Sequence, residues 1–144
     1  MATTRVYAPT GWRVLEAAGA SIANNAFAQA DDASFSLAVH GDNYPHLELE
    51  MVWIHGTAPT ANSALTIYAQ DISVNGTDAR PPSANNLQTR VASALCDAVT
   101  TTQTKRIDII KAPTNAWYWL QGVGITNAVT AGWTLRARAF SFAG

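Results

Sequence analysis

Charge is what this chain has least of. Asp, Glu, Lys and Arg make up 13% of its 144 residues, against about 25% in an ordinary soluble domain. Ala, Thr, Asn and Ser fill the deficit. A net charge of −1 gives little colloidal repulsion, so a surface of this composition is expected to be covered in part by partners. The 9 Lys and Arg residues are scattered rather than clustered, which leaves no electrostatic footprint for nucleic acid. Cys96 is the only cysteine; no intrachain disulfide can form, and the thiol is expected to be structural. No stretch approaches the ~18 apolar residues of a membrane span, and no basic segment followed by an apolar run opens the chain. The expectation is a chain made in the cytosol that stays in solution and binds neither membrane nor nucleic acid.

Catalytic patterns are scarce as well. His40, His46 and His55 match no zinc spacing and have no second ligand type beside them, so they are expected to be surface or edge histidines. There is no Gly-x-Ser-x-Gly elbow. Glu48 and Glu50 lie two apart on one strand face, whereas a glycosidase sets its carboxyl pair across the sugar, usually from different strands; a solvated strand end is expected. Asp31, Asp32, Asp71 and Asp78 lack the ligand rhythm of a calcium loop. Gly122-Val123-Gly124-Ile125-Thr126-Asn127 lacks the third glycine of a dinucleotide loop and reads as a turn, as does Asn75-Gly76. These observations predict no enzyme, no cofactor and no metal.

What is present is alternation. Phe35, Leu37 and Val39 oppose Ser34, Ser36, Ala38 and His40; Leu47, Leu49, Met51 and Trp53 oppose Glu48, Glu50, Val52 and Ile54; Leu65, Ile67 and Ala69 oppose Thr66, Tyr68 and Gln70. This period of two predicts strands, separated by Gly41-Asp42-Asn43-Tyr44-Pro45 and Gly56-Thr57-Ala58-Pro59-Thr60. Residues 1–16 read as an arm or first strand, and 17–33 as short strands and turns. Residues 71–86 read as a long loop, a common place for binding. Residues 87–99 fit either a helical face or a strand, with Thr100-Thr101-Thr102 favouring strand. Ile107 and Ile109 mark another strand. Trp117-Tyr118-Trp119-Leu120 and the run from Trp133 to Phe140, joined by an uncharged Gly, Asn and Thr-rich connection, predict a closing antiparallel hairpin.

The prediction is therefore an all-β protein, an antiparallel β-sandwich or jelly roll of about eight short strands. The length suits about one domain, with residues 1–33 as an N-terminal arm and first strands and 34–144 as the sandwich proper. Trp53, Trp117, Trp119 and Trp133 are expected largely in the core. Trp12, outside any strong strand, is expected to anchor an interface.

Several segments carry a resemblance. Gly56-Thr57-Ala58-Pro59-Thr60, Leu65-Thr66-Ile67-Tyr68, Asn75-Gly76-Thr77-Asp78-Ala79 with Pro82-Ser83-Ala84-Asn85, Trp117-Tyr118-Trp119-Leu120-Gln121-Gly122 and Ala131-Gly132-Trp133-Thr134-Leu135-Arg136 together resemble small virion structural proteins of tailed bacteriophages. The resemblance spans roughly residues 34–142. It implies a non-enzymatic sandwich that decorates or cements the capsid, contacting the major capsid protein and itself as a homotrimer, with the virion surface as its location. A neck, tail or baseplate component is the alternative, and a carbohydrate-binding module is one of another class. The residues expected to contact partners are Arg5, Tyr7, Trp12 and Arg13 in the N-terminal segment and Asn75, Asp78 and Arg80 in the long loop.

Overall fold

A computed structural model describes residues 4–71 and 89–143. In chain order the elements are β1 (Thr4–Tyr7), β2 (Arg13–Glu16), β3 (Phe27–Ser36), α1 (Leu37–His40), β4 (His46–Trp53), β5 (Ala64–Asp71), β6 (Thr89–Leu95), β7 (Gln103–Ile109), β8 (Asn115–Val123) and β9 (Thr134–Ala143). The strands form two antiparallel sheets. The first has five strands in the order β1-β9-β4-β7, with β2 also pairing β9; the second has four in the order β3-β8-β5-β6. The expected all-β sandwich is what the chain forms, with nine strands among the described residues rather than about eight.

The core is the set of inward positions of both sheets. On β4, Leu47, Leu49, Met51 and Trp53 are all buried, and they face Leu135, Ala137 and Ala139 of β9 in direct register. Across from them the second sheet contributes Ala30 and Phe35, Leu65 and Ile67, and Tyr118 and Leu120. Each large apolar side chain so buried contributes about 1.5–3 kcal/mol. Cys96 lies in this cluster, and burial, foremost, with Asp97 beside it pushes its thiol up to about 11. It is a structural thiol, as expected.

Three local expectations are corrected. The alternation from Ser34 to His40 does not continue as strand. β3 begins earlier, at Phe27, and at Ser36 the chain turns into α1, because the Ser36 side chain accepts from Val39 N at 3.3 Å and Gly41 N donates back to Leu37 O at 3.2 Å. A local cap competes with the ladder and wins, leaving Leu37 buried and Val39 exposed.

The two aromatic runs near the C-terminus are not a hairpin. β8 pairs with β3 and β5, whereas β9 pairs with β1, β2 and β4. The connection between them crosses from one sheet to the other, with Ile125 and Val129 buried in it. Gly124 and Gly132 take positive φ at its two ends. Alternation reveals which face a residue occupies but not which strand lies beside it, and sheets stacked about 10 Å apart are easily bridged by a connection of this length.

The tryptophans divide differently as well. Tyr118 and Leu120 fill the core, so Trp117 and Trp119 point to the outer side of the second sheet. There Trp119 Nε1 donates to Gln70 Oε1 at 3.0 Å.

Of residues 87–99, Thr89–Leu95 form strand β6 and 96–99 lie beyond its end, and Ile107 and Ile109 lie in β7. No helix among the described residues is long and apolar enough to cross a membrane.

Candidate functional site

The outer face of the first sheet carries the most concentrated chemistry among the described residues. Alternation that turns Leu47, Leu49 and Met51 inward must turn Glu48 and Glu50 outward. The same parity on β9 aims Arg136 and Arg138 outward, and the register sets Glu48 opposite Arg138 and Glu50 opposite Arg136. On the other flank β7 sets Asp108 beside Glu48 and Arg106 beside Glu50. Three of these four cross-strand pairs join opposite charges, which cross-strand pairing favours, and the like-charged pair Glu48 and Asp108 is bridged by Arg5, whose Nη1 donates to both.

The expectation of a solvated strand end is overturned: Glu48 and Glu50 are only 4% and 7% exposed. Guanidinium groups and aromatic rings cover them. Glu50 accepts from Arg136 Nε and Arg106 Nε, each at 2.8 Å. Glu48 accepts from Arg138 Nη2 at 2.9 Å, Arg5 Nη1 at 3.1 Å and the Tyr7 hydroxyl at 2.9 Å. Arg5 also forks onto both carboxylate oxygens of Asp108. Trp12 lies over three of these cations, with the guanidinium carbons of Arg136, Arg138 and Arg106 at 4.2, 4.3 and 5.6 Å from its ring. Arg138 also stacks on Tyr7 at 3.6 Å. Buried carboxylates persist only when paired and hydrogen-bonded, and both conditions are met here.

Of the four N-terminal residues expected to bind a partner, Arg5, Tyr7 and Trp12 meet in this cluster, but they are engaged with their own sheet. Trp12 is thus an intramolecular anchor before it is anything else. Arg13 points elsewhere, its Nε donating to Ser34 O at 2.9 Å. Trp12 and Arg13 are reunited as walls of a shallow groove of about 370 Å³ with Val14, Val39 and His40. Burial, foremost, with Arg13 nearby, lowers the His40 pKa, which favours the neutral form of this groove's imidazole. Asn75, Asp78 and Arg80 lie outside the described residues, as does all of the expected long loop but Asp71.

Of the arginine partners of the glutamates, Arg5 was singled out from the sequence, but Arg106, Arg136 and Arg138 were not. The usable signal was Glu48-x-Glu50 on one strand and Arg136-x-Arg138 on another, two pairs of equal period and opposite sign. The histidine expectation also needs correction. His55 is fully buried, its ring lying between Trp53 Nε1 at 3.2 Å and Asn127 O at 3.0 Å, where it links β4 to the crossing connection. His46 and His40 are half-buried.

The network has a defined pH response. The hydrogen bond from Arg136, foremost, and that from Arg106 hold the Glu50 carboxyl below its usual 4.5, against the opposing effect of burial. A lowered native pKa adds stability that is complete above the unfolded value and is lost as pH falls through the native one. Thermal midpoints of the wild type and of Glu50→Gln should therefore diverge near neutrality and converge only as the pH falls through the lowered native value. Parallel curves would show that the network contributes nothing through ionisation.

No protein-family model matches the chain, and no curated protein matches it.

Proposed function

We propose that this protein is a non-enzymatic structural subunit of a tailed-phage virion, a capsid decoration or cement protein that bridges major capsid subunits and acts as a homotrimer. The observation that carries this reading is the disposition of charge. In a chain already poor in charge, the four arginines Arg5, Arg106, Arg136 and Arg138 and the three carboxylates Glu48, Glu50 and Asp108 offset all but one of their charges in a single network on one face. Elsewhere the surface exposes Val14, Val39, Leu95 and Ile110, each more than half accessible. Exposed apolar side chains of this kind suit protein contacts. The sandwich supplies a rigid spacer, and the groove beside Trp12 and Arg13, flanked by Val14 and Val39, is the surface assigned to the capsid. Many copies on one shell turn weak individual contacts into high avidity.

The glycan-platform reading fares worse on these positions. Trp53 and Trp133 are 2% exposed and Trp119 6%, which removes three of the five tryptophans as stacking surfaces.

Purified protein should co-sediment with expanded, undecorated heads of the parent phage, raise their resistance to heat, and run as a trimer in native mass measurement. Val39→Asp should leave the thermal midpoint unchanged and weaken head binding at least tenfold, since burying an unpaired carboxylate in a contact is costly. A protein that binds neither heads nor itself would refute the proposal.

A further inference from the structure

A second carboxylate group lies away from the charged face, where β2 of the first sheet passes against β3 of the second. Arg13 reaches Ser34 O there, and Ala17 N donates to Asp32 Oδ2 at 2.7 Å. Between these contacts β3 leaves its partner: pairing with β8 holds to Ala30 and resumes with a shifted register at Phe35. The released stretch carries Asp31 and Asp32, both exposed. On β2 the register also shifts, between Val14 and Glu16. A bulge re-aims side chains, and so the consecutive residues Leu15 and Glu16 are both buried, at 0% and 5% exposure.

We propose that Glu16, Asp31 and Asp32 bind a divalent, oxygen-preferring cation of the calcium class that clamps β2 to β3. One carboxylate oxygen from each residue lies within 4.8 Å of the others. Two exposed aspartates alone would be an ordinary solvated surface. What distinguishes this place is Glu16, about nineteen-twentieths buried, aimed at both aspartates and approached by no cationic side chain among the described residues. A buried carboxylate with two like charges beside it and no counter-ion is costly.

The donor set selects the class of ion. Three carboxylates with no nitrogen or sulfur ligand suit hard cations rather than zinc or copper. Calcium accepts mono- and bidentate carboxylates in irregular geometry and completes its shell with water, which the exposed side of Asp31 and Asp32 admits. Magnesium demands a near-ideal octahedron. The expectation of no metal is thus replaced at a position where the sequence shows no calcium-loop rhythm, because the three ligands come from two strands of different sheets.

The test uses the full chain stripped with a chelator at about pH 8, where the carboxylates are ionised. It is titrated with calcium, magnesium or potassium chloride at matched ionic strength and followed by calorimetric binding and thermal midpoint. Calcium should bind saturably with Kd on the order of 10⁻⁴ M and raise the midpoint; magnesium should bind at least tenfold more weakly. Asp31→Asn should lose at least tenfold in calcium affinity. Glu16→Gln, which conserves volume, should fold without cation and no longer respond. A calcium response no different from that of potassium, or one undiminished in both variants, would overturn the proposal.

Discussion

Replacing Gly19 with alanine should lower stability by about 3 kcal/mol, the upper range for forcing an extra carbon into a packed interior. A Cβ built on Gly19 would lie 1.9 Å from Cε2 of Trp133 and 2.4 Å from its Cδ2, so it meets the middle of an indole rather than the end of a flexible chain. The indole cannot withdraw. Trp133 is 2% exposed, and its Nε1 donates to Ala20 O at 2.6 Å. The Gly19 backbone cannot withdraw either: its N–H donates to Trp133 O at 2.9 Å, and its carbonyl accepts from Gly132 N at 2.7 Å. This glycine is required for close approach, not for an unusual φ. Urea denaturation is the measurement, with a midpoint drop of roughly 3–4 °C per kcal/mol in a parallel thermal scan. In a Trp133→Leu background the same alanine should cost at least about 1 kcal/mol less, because contacting residues couple. A Gly19→Ala variant within about 0.5 kcal/mol of wild type would show that the strand entry rearranges freely.

How much of this was legible in the sequence depends on how far each determinant reaches. The inward faces of β4 and β5 follow from a period of two within eight residues, and Leu47, Leu49, Met51, Leu65 and Ile67 occupy the core accordingly. The end of β3 was misread because one Ser36 side chain bond starts a helical turn inside an alternating pattern. The partners of β8 and β9 were misread because the pattern of a strand is indifferent to its neighbour. Of the candidate residues, Arg5, Tyr7 and Trp12 were recognised as an unusual grouping, but their purpose depends on Glu48 and on Arg138, 90 residues further along. Glu16 was passed over since its burial results from a bulge, and no composition or spacing announces a bulge.

The same long reach makes Glu48 the position where a single substitution should disturb the charged face most. Glu48→Ala removes the acceptor of Arg5, Arg138 and Tyr7 together. Breaking a fully buried ion pair costs about 3–5 kcal/mol. Here the guanidiniums retain access to water, Arg138 at 20% and Arg5 at 34%, so solvent compensates part of the loss and about 2 kcal/mol is expected. The loss should be local in character. β1 is a four-residue edge strand paired only with β9, and the Glu48 bonds to Arg5 and Tyr7 are what tie its side chains across to β4. Amide exchange at Thr4–Tyr7 should accelerate well beyond that at Leu47–Trp53, and the Trp12 fluorescence should change as Arg138 loses its fixed position over the rings. Arg138→Met combined with Glu48→Met should cost less than Glu48→Ala alone, because it removes both charges and restores apolar volume. Should exchange in β1 match the wild type, the arm is held by its backbone ladder and the Arg5–Asp108 pair without help from Glu48. In that case the clustering of Arg5, Tyr7 and Trp12 on this face would be a consequence of the arm's position rather than its cause.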